Sequence, residues 1–162
     1  MQRLTTPSLL LFALLAGCSS PPQDPAALND NNGPAGCRPT SEAEIAALFE
    51  RWNRSLQTGD PHQVVANYAV DSVLLPTVSN QPRMTPEQKE DYFHHFLENR
   101  PSGKIDSRTI QINCNTAVDV GLYTFTFART GAQVHARYTY TYQWDGRQWL
   151  ITSHHSSAMP EN

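Results

Sequence analysis

Residues 134–160, VHARYTYTYQWDGRQWLITSHHSSAMP, decide how this chain folds. The first half alternates without a break. Tyr138, Tyr140, Tyr142 and Trp144 share one parity, and Arg137, Thr139, Thr141 and Gln143 the other. Successive strand side chains point to opposite faces, so the pattern predicts a strand with one aromatic and one more polar face. Asp145-Gly146 then interrupts the run. Asp-Gly between two such segments is a strong hairpin signal, because glycine takes positive φ without steric cost. A two-residue turn sets Arg137 opposite His154, and one more loop residue moves the pairing to His155. Either register puts a guanidinium beside an imidazole on the less apolar face, where a pocket on a curved sheet would begin.

Working back towards the N-terminus, Ser41-x-x-Glu44 reads as a capping box. It opens an amphipathic helix with Ile45, Leu48, Phe49, Trp52 and Leu56 on one face. Thr58-Gly59-Asp60-Pro61 stops it, and a short second helix follows with Val64, Val65 and Tyr68 as its apolar contacts. Residues 72–76 predict a short strand, and 78–83 a loop or a second strand. Pro86 after Thr85 marks the start of a third helix, with Tyr92, Phe93, Phe96 and Leu97 as its buried stripe, ended by Pro101-Ser102-Gly103. From there the texture is of strands, near 104–113, 117–128, 133–144 and 148–157. Three helices followed by four long antiparallel strands predict an α+β domain with the helices on one face of a curved sheet.

The first residues read as an address. Arg3 supplies a positive charge, and residues 8–16 are an apolar run too short to span a bilayer, which needs ~20 residues. The run ends in Leu15-Ala16-Gly17-Cys18, which resembles the lipobox of bacterial lipoprotein signal peptides. That resemblance implies removal of residues 1–17, acylation of Cys18 and anchoring at the periplasmic face of the cell envelope. Ser19, where an inner-membrane retention signal would place Asp, points to the outer membrane. The alternative is an ordinary secretory peptide with an incidental cysteine. Residues 18–36 carry almost nothing that could enter a core and read as a tether, leaving 37–162 as one domain. Losing residues 1–17 moves the formal charge from −3 to −4. No basic stripe is present, so nucleic acid is not an expected partner.

With Cys18 assigned to lipid, Cys37 and Cys114 remain, and an oxidising compartment favours a disulfide between them. Two buried free thiols are the alternative. Neither Cys-x-x-Cys nor His-x-x-x-His spacing occurs, so no metal or cofactor is expected.

ALFERWNRSLQTGDPHQVVANYAVDSVLLP, DYFHHFLENRPSGKID and the closing DGRQWLITSHHSSAMP together resemble the nuclear transport factor 2-like (SnoaL-like) superfamily. Within it, the chain is similar to the association domain of calcium/calmodulin-dependent protein kinase II and its stand-alone bacterial relatives. The resemblance implies a cone-shaped fold, three helices packed on a curved, mostly antiparallel sheet around a pocket, as a dimer or higher oligomer. It does not bring a kinase: no Gly-rich loop, VAIK-like lysine or HRD-like catalytic loop is present. Steroid isomerases of the superfamily use a tyrosine and two aspartates. Trp52 stands at the tyrosine position, Pro76 near the first aspartate and residues 139–141 near the second, so that chemistry is not expected. An epoxide-hydrolase-like Asp-Arg-Asp set lacks a third member beyond Arg137 and Asp119.

The expected site is therefore a pocket formed by Arg137, Thr139, His154, His155, Trp52 and Tyr68. Arg137 would hold a small anionic or carboxylated ligand, since its planar fork matches a carboxylate. An ion pair with Asp119 or Asp71 is the alternative for Arg137. His154, His155 and Asp119 are the candidate acid–base groups if the protein is a cyclase- or hydrolase-like enzyme rather than a binding module. A structural envelope subunit is a third possibility. Tyr138, Tyr140, Tyr142 and Trp144 would lie on the convex face as an oligomer interface: with the three helices assigned to the concave side, a second copy of the chain is the expected cover, and another layer of the same chain the alternative.

Overall fold

The computed structural model describes residues 36–160 other than Val78. The lipobox, Cys18 and nearly all of the tether lie outside these residues. Helix α1 (Glu42–Leu56), α2 (Pro61–Val65) and strand β1 (Tyr68–Leu75) precede α3 (Pro86–Leu97); β2 (Pro101–Asn113), β3 (Thr116–Phe127), β4 (Gln133–Trp144) and β5 (Trp149–Ala158) complete the chain. The expected α+β domain is present. Tyr68, expected in the second helix, instead begins a strand. Among the described residues no helix is long and apolar enough to cross a membrane.

The helix starts follow from local chemistry. Ser41 accepts the backbone N–H of Glu44, but the Glu44 carboxylate pairs with Arg38 at 2.6 Å, so only half of the expected capping box forms. The reciprocal box is at α3, where Thr85 and Gln88 cap each other and Pro86 occupies the first turn. Helix α1 buries Ile45, Leu48, Phe49, Trp52 and Leu56, which stabilises the domain by an amount on the order of 10 kcal/mol as an upper estimate.

The five strands lie in the order β1-β5-β4-β3-β2. Strand β1 runs parallel to β5 and the remaining pairs are antiparallel. The sequence shows four of these strands clearly. The fifth, β1, closes the sheet on the far side of β5. Arg83 reaches the same edge through a single antiparallel bridge to Leu74.

Two expectations are corrected here. The parity of β4 holds, but its faces are reversed: Tyr138, Tyr140 and Tyr142 are buried against the helices, and Trp144 is half-buried. Tyr140 packs edge-on to Phe49 and Trp52 of α1, with centroids 6.2 and 5.9 Å apart. The apolar stripe of a helix needs apolar surface opposite it, and this row supplies it. The layer that covers the tyrosines is therefore within the chain, and the expected oligomer interface through Tyr138, Tyr140, Tyr142 and Trp144 is not formed by this row.

The hairpin register is the second correction. Four residues, not two or three, join β4 to β5, because the Asp145 carboxylate accepts the N–H groups of Arg147 and Gln148 at 2.7 and 2.8 Å, with Gly146 at φ +98°. Trp144 thus pairs with Trp149, and a bulge at Thr152 shifts the ladder by one more residue, so Arg137 lies opposite Ser157. A bulge inserts an unpaired residue and reverses the facing of everything beyond it. Here it turns His154 and Ser156 inward, and Ser153 and His155 outward.

A disulfide joins Cys37 to Cys114, 77 residues apart. It ties the segment ahead of α1 to the β2–β3 turn.

Candidate functional site

The inward faces of β1, β3, β4 and β5 and the inner side of α3 enclose a cavity of about 310 Å³. Its walls are largely aromatic, with Trp52, Phe93, Phe96, Phe125 and Phe127 contributing. Each position follows from periodicity: Tyr123, Phe125 and Phe127 alternate along β3, and Phe93 and Phe96 are one turn apart on α3.

His154 lies in this wall and is buried. Tyr140 stacks on its imidazole at 4.1 Å between centroids, and Trp52 meets it edge-on at 5.4 Å. Burial lowers its pKa to about 3, with a smaller contribution from the neighbouring His155, so the ring is neutral at physiological pH. A neutral imidazole carries one proton, and the hydrogen bonds determine where. The Trp52 indole donates to the Tyr68 phenol oxygen at 3.1 Å. The phenol lies 2.8 Å from His154 Nδ1. Burial raises the Tyr68 pKa well above its ordinary value, so the phenol keeps its hydrogen; with its oxygen already accepting the indole N–H, Nδ1 is the acceptor in reach for that hydrogen, and we assign the phenol as donor. The imidazole proton is then on Nε2. That nitrogen is buried and finds no partner among the described residues. His154 thus lines the cavity with an N–H that has no partner among the described residues, and has little capacity as a base.

Two residues further along β5, Ser156 centres a hydroxyl cluster. The Tyr123 phenol donates to its Oγ at 2.5 Å, and Thr77 Oγ1 forms a short hydrogen bond with the same oxygen. Burial raises the Tyr123 pKa, which keeps the phenol protonated. Three hydroxyl hydrogens and two hydrogen bonds leave one hydrogen free to donate to a guest. The apolar wall therefore includes two groups with a hydrogen left to donate, the His154 imidazole and the hydroxyl cluster. Chemically, such a wall suits a molecule rich in acceptor oxygens.

The expected site residues divide between two places. Trp52, Tyr68 and His154 come together as the sequence suggests, Tyr68 standing behind the imidazole. Arg137, Thr139 and His155 do not join them: they share a shallow depression on the outer face of the sheet with Ser157. The Arg137 guanidinium donates there to the Ala158 carbonyl at 3.2 Å. Arg137 is thus paired with neither Asp119 nor Asp71. Asp119 is buried elsewhere, held by Arg108 at 3.1 Å and by the Tyr138 hydroxyl at 2.8 Å, and does not line the cavity. The expected site residues did not include Tyr123, Ser156 or Thr77. Spacing of two along one strand links Ser156 to His154 and could have found it. Thr77, just past β1, carries no such signal.

The family model described as "Calcium/calmodulin dependent protein kinase II association domain" matches residues 41–160. Among curated proteins none matches the sequence significantly. A solved structure from Xanthomonas campestris, described as an association domain of that kinase, is 51% identical, with 79% of this chain and 95% of that one covered at a TM-score of 0.71. An NTF2-like protein from Pseudomonas putida is 20% identical over 78% of this chain and 92% of that one, with a TM-score of 0.66. The iota-carbonic anhydrase of a cyanobacterium, solved with bicarbonate, is 19% identical over 81% of this chain and 99% of its own, with a TM-score of 0.69. The last two likenesses show the NTF2-like fold.

Proposed function

The chain belongs to the calcium/calmodulin-dependent protein kinase II association domain family, and we propose that this member is an enzyme that hydrates carbon dioxide to bicarbonate in its aromatic cavity. One observation carries the reading: His154, whose buried Nε2 has no partner among the described residues, and the Tyr123–Ser156–Thr77 hydroxyl cluster line the same apolar chamber. Bicarbonate is an anion whose oxygens all accept hydrogen bonds, and two buried donors match it without a cationic side chain. The aromatic remainder suits uncharged carbon dioxide. The bicarbonate complex of the structurally similar carbonic anhydrase supports the same choice of ligand.

In this reaction a water oxygen forms a bond to the carbon of carbon dioxide while one C=O π bond opens onto oxygen. The water proton passes to solvent buffer. Negative charge grows on the former carbonyl oxygen, and preoriented N–H and O–H donors stabilise it most effectively where water is excluded. His154 acts here as a donor, since its low pKa makes it a poor base. A second reading, binding of a larger carboxylate, is favoured by the cavity volume, which exceeds what bicarbonate fills.

Stopped-flow hydration with a pH indicator tests the proposal. The parent should accelerate hydration, and Ser156→Ala and His154→Ala should each lose at least tenfold in kcat/KM. Arg137→Gln, on the outer face, should leave the rate unchanged. No acceleration by the folded parent would overturn the enzymatic reading, and stabilisation by a larger carboxylate would then favour the second.

Anchoring through Cys18 at the outer membrane belongs to the same proposal, supported by Leu15-Ala16-Gly17-Cys18. So does self-association. The outer face of the sheet carries Val118, Val120, Leu122 and Leu150, partly exposed, and a second copy would cover them there rather than at the tyrosine row.

A further inference from the structure

Outside the cavity, the last turn of α3 gathers His94, His95 and Glu98, all exposed, with one potential ligand atom from each lying within 4.8 Å of the others. We infer that these three side chains form a binding site for a divalent first-row transition-metal ion, of which Zn²⁺ is the natural probe. The donor set carries the chemistry: two imidazoles and a carboxylate suit zinc, copper or nickel, and they disfavour magnesium and calcium, which take oxygen ligands.

Geometry permits the site. Two ligands on one zinc ion stand about 3.3 Å apart, given metal–ligand distances of about 2.0–2.2 Å in a tetrahedral arrangement. His95 Nδ1 and the Glu98 carboxylate are already 3.5 Å apart. His94 must close the remaining separation, and an exposed side chain does this by a rotamer change that disturbs no packing. Two independent features favour a cation at this spot. It lies at a helix C-terminus, where the free carbonyls carry partial negative charge. It also adjoins a groove lined by Asp60, Glu87, Glu90 and Asp91, whose summed field raises the local concentration of cations. In that groove His62 is held by Glu90 at 2.8 Å, so it is a neighbour of the site rather than a ligand.

The location gives the site a consequence. His95 lines the cavity as well as the groove, so an ion held there would stand at the cavity mouth. The site itself is independent of what the cavity binds.

Isothermal titration calorimetry with zinc chloride, in a buffer that does not coordinate zinc, is the test. The parent should bind one Zn²⁺, and His94→Ala and His95→Ala should each weaken binding at least tenfold. Glu98→Gln should weaken it severalfold, His62→Ala should leave it unchanged, and magnesium should give no heat. Because all three side chains are exposed, the variants should melt with the parent, which circular dichroism checks. No zinc binding by the parent at hundred-micromolar concentration would overturn the site. Undiminished binding by the double variant His94→Ala/His95→Ala would do the same.

Discussion

The phenol oxygen of Tyr68 lies 2.8 Å from Nδ1 of His154 while it accepts the Trp52 indole N–H. This relay, rather than any charge, sets the imidazole tautomer and leaves the proton on Nε2, buried without a partner among the described residues. Tyr68→Phe removes the relay and leaves both the indole N–H and Nδ1 buried without a partner. That should cost about 1–3 kcal/mol of stability. The Nε2–H tautomer should give way to a mixture, visible in the nitrogen chemical shifts of His154, and hydration activity should fall. An unchanged tautomer in the variant would show that Tyr68 is not its determinant.

Acid should unfold the protein earlier than its carboxylates alone predict. With the folded pKa of His154 near 3 and the unfolded value near 6.5, the unfolded state binds the extra proton between them. Stability is therefore fully present above pH 6.5 and falls as pH drops towards 3, by an amount on the order of a few kcal/mol in all. His62, raised by its hydrogen bond to Glu90, acts in the opposite direction: its contribution is present at low pH and lost as pH rises. Its exposure keeps that effect small. Urea midpoints measured from pH 7 to 4 should decline in the parent and decline less in His154→Gln. Parallel slopes would contradict the assignment.

The hydroxyl cluster should show its role through binding. Thr77→Val and Tyr123→Phe each remove one hydroxyl around Ser156, and each should raise the dissociation constant for bicarbonate by about tenfold, the loss of one hydrogen bond of roughly 1.4 kcal/mol. Competition measured by thermal shift would read this directly. Unaltered affinity in both variants would remove the cluster from the site.

Gly121 is required by close approach. A Cβ built there would stand 1.9 Å from the Ser107 carbonyl oxygen, beside the irregularity between Ile105 and Ser107 where β2 crowds β3. The contact is with backbone and cannot be relieved by a rotamer change. Gly121→Ala should destabilise by about 1–3 kcal/mol or more, lowering Tm by roughly 3–10 °C for a domain of this size. A variant melting with the parent would show that the strands can part without cost.

Reduction of the Cys37–Cys114 disulfide frees a long loop. In the chain-entropy model, closing about 80 residues stabilises by roughly 4 kcal/mol, so reductant should lower Tm substantially. Thiol labelling of the denatured, unreduced protein should find neither cysteine free.

Much of this fold is legible in residue patterns, because helix and strand periods record which side chains share a face. The stripe Ile45–Phe49–Trp52–Leu56 and the β4 alternation both appear as expected. Which face of β4 looks inward is not a property of β4, however. It depends on where α1 lies, and the polarity of Arg137 and the threonines misled the assignment. Register was lost for a similar reason. The Asp145 carboxylate lengthens the turn and Thr152 adds a bulge, and neither leaves a mark in hydrophobic periodicity. Adjacent histidines must face opposite ways, but only the bulge decides that His154 rather than His155 enters the cavity. Thr77 joins Ser156 through a long-range contact that no local pattern announces.

The position of β5 between β1 and β4 has a consequence for biosynthesis. Of the described strands, β5 is the last made, yet it supplies His154 and Ser156 and is the only partner through which β1 enters the sheet. Until residues 149–158 emerge, β1 and the aromatic flank of β4 are unsatisfied edges, and the cavity lacks the wall that carries His154 and Ser156. A nascent chain thus stays prone to association until β5 inserts, and loss of that strand would abolish the fold rather than trim it.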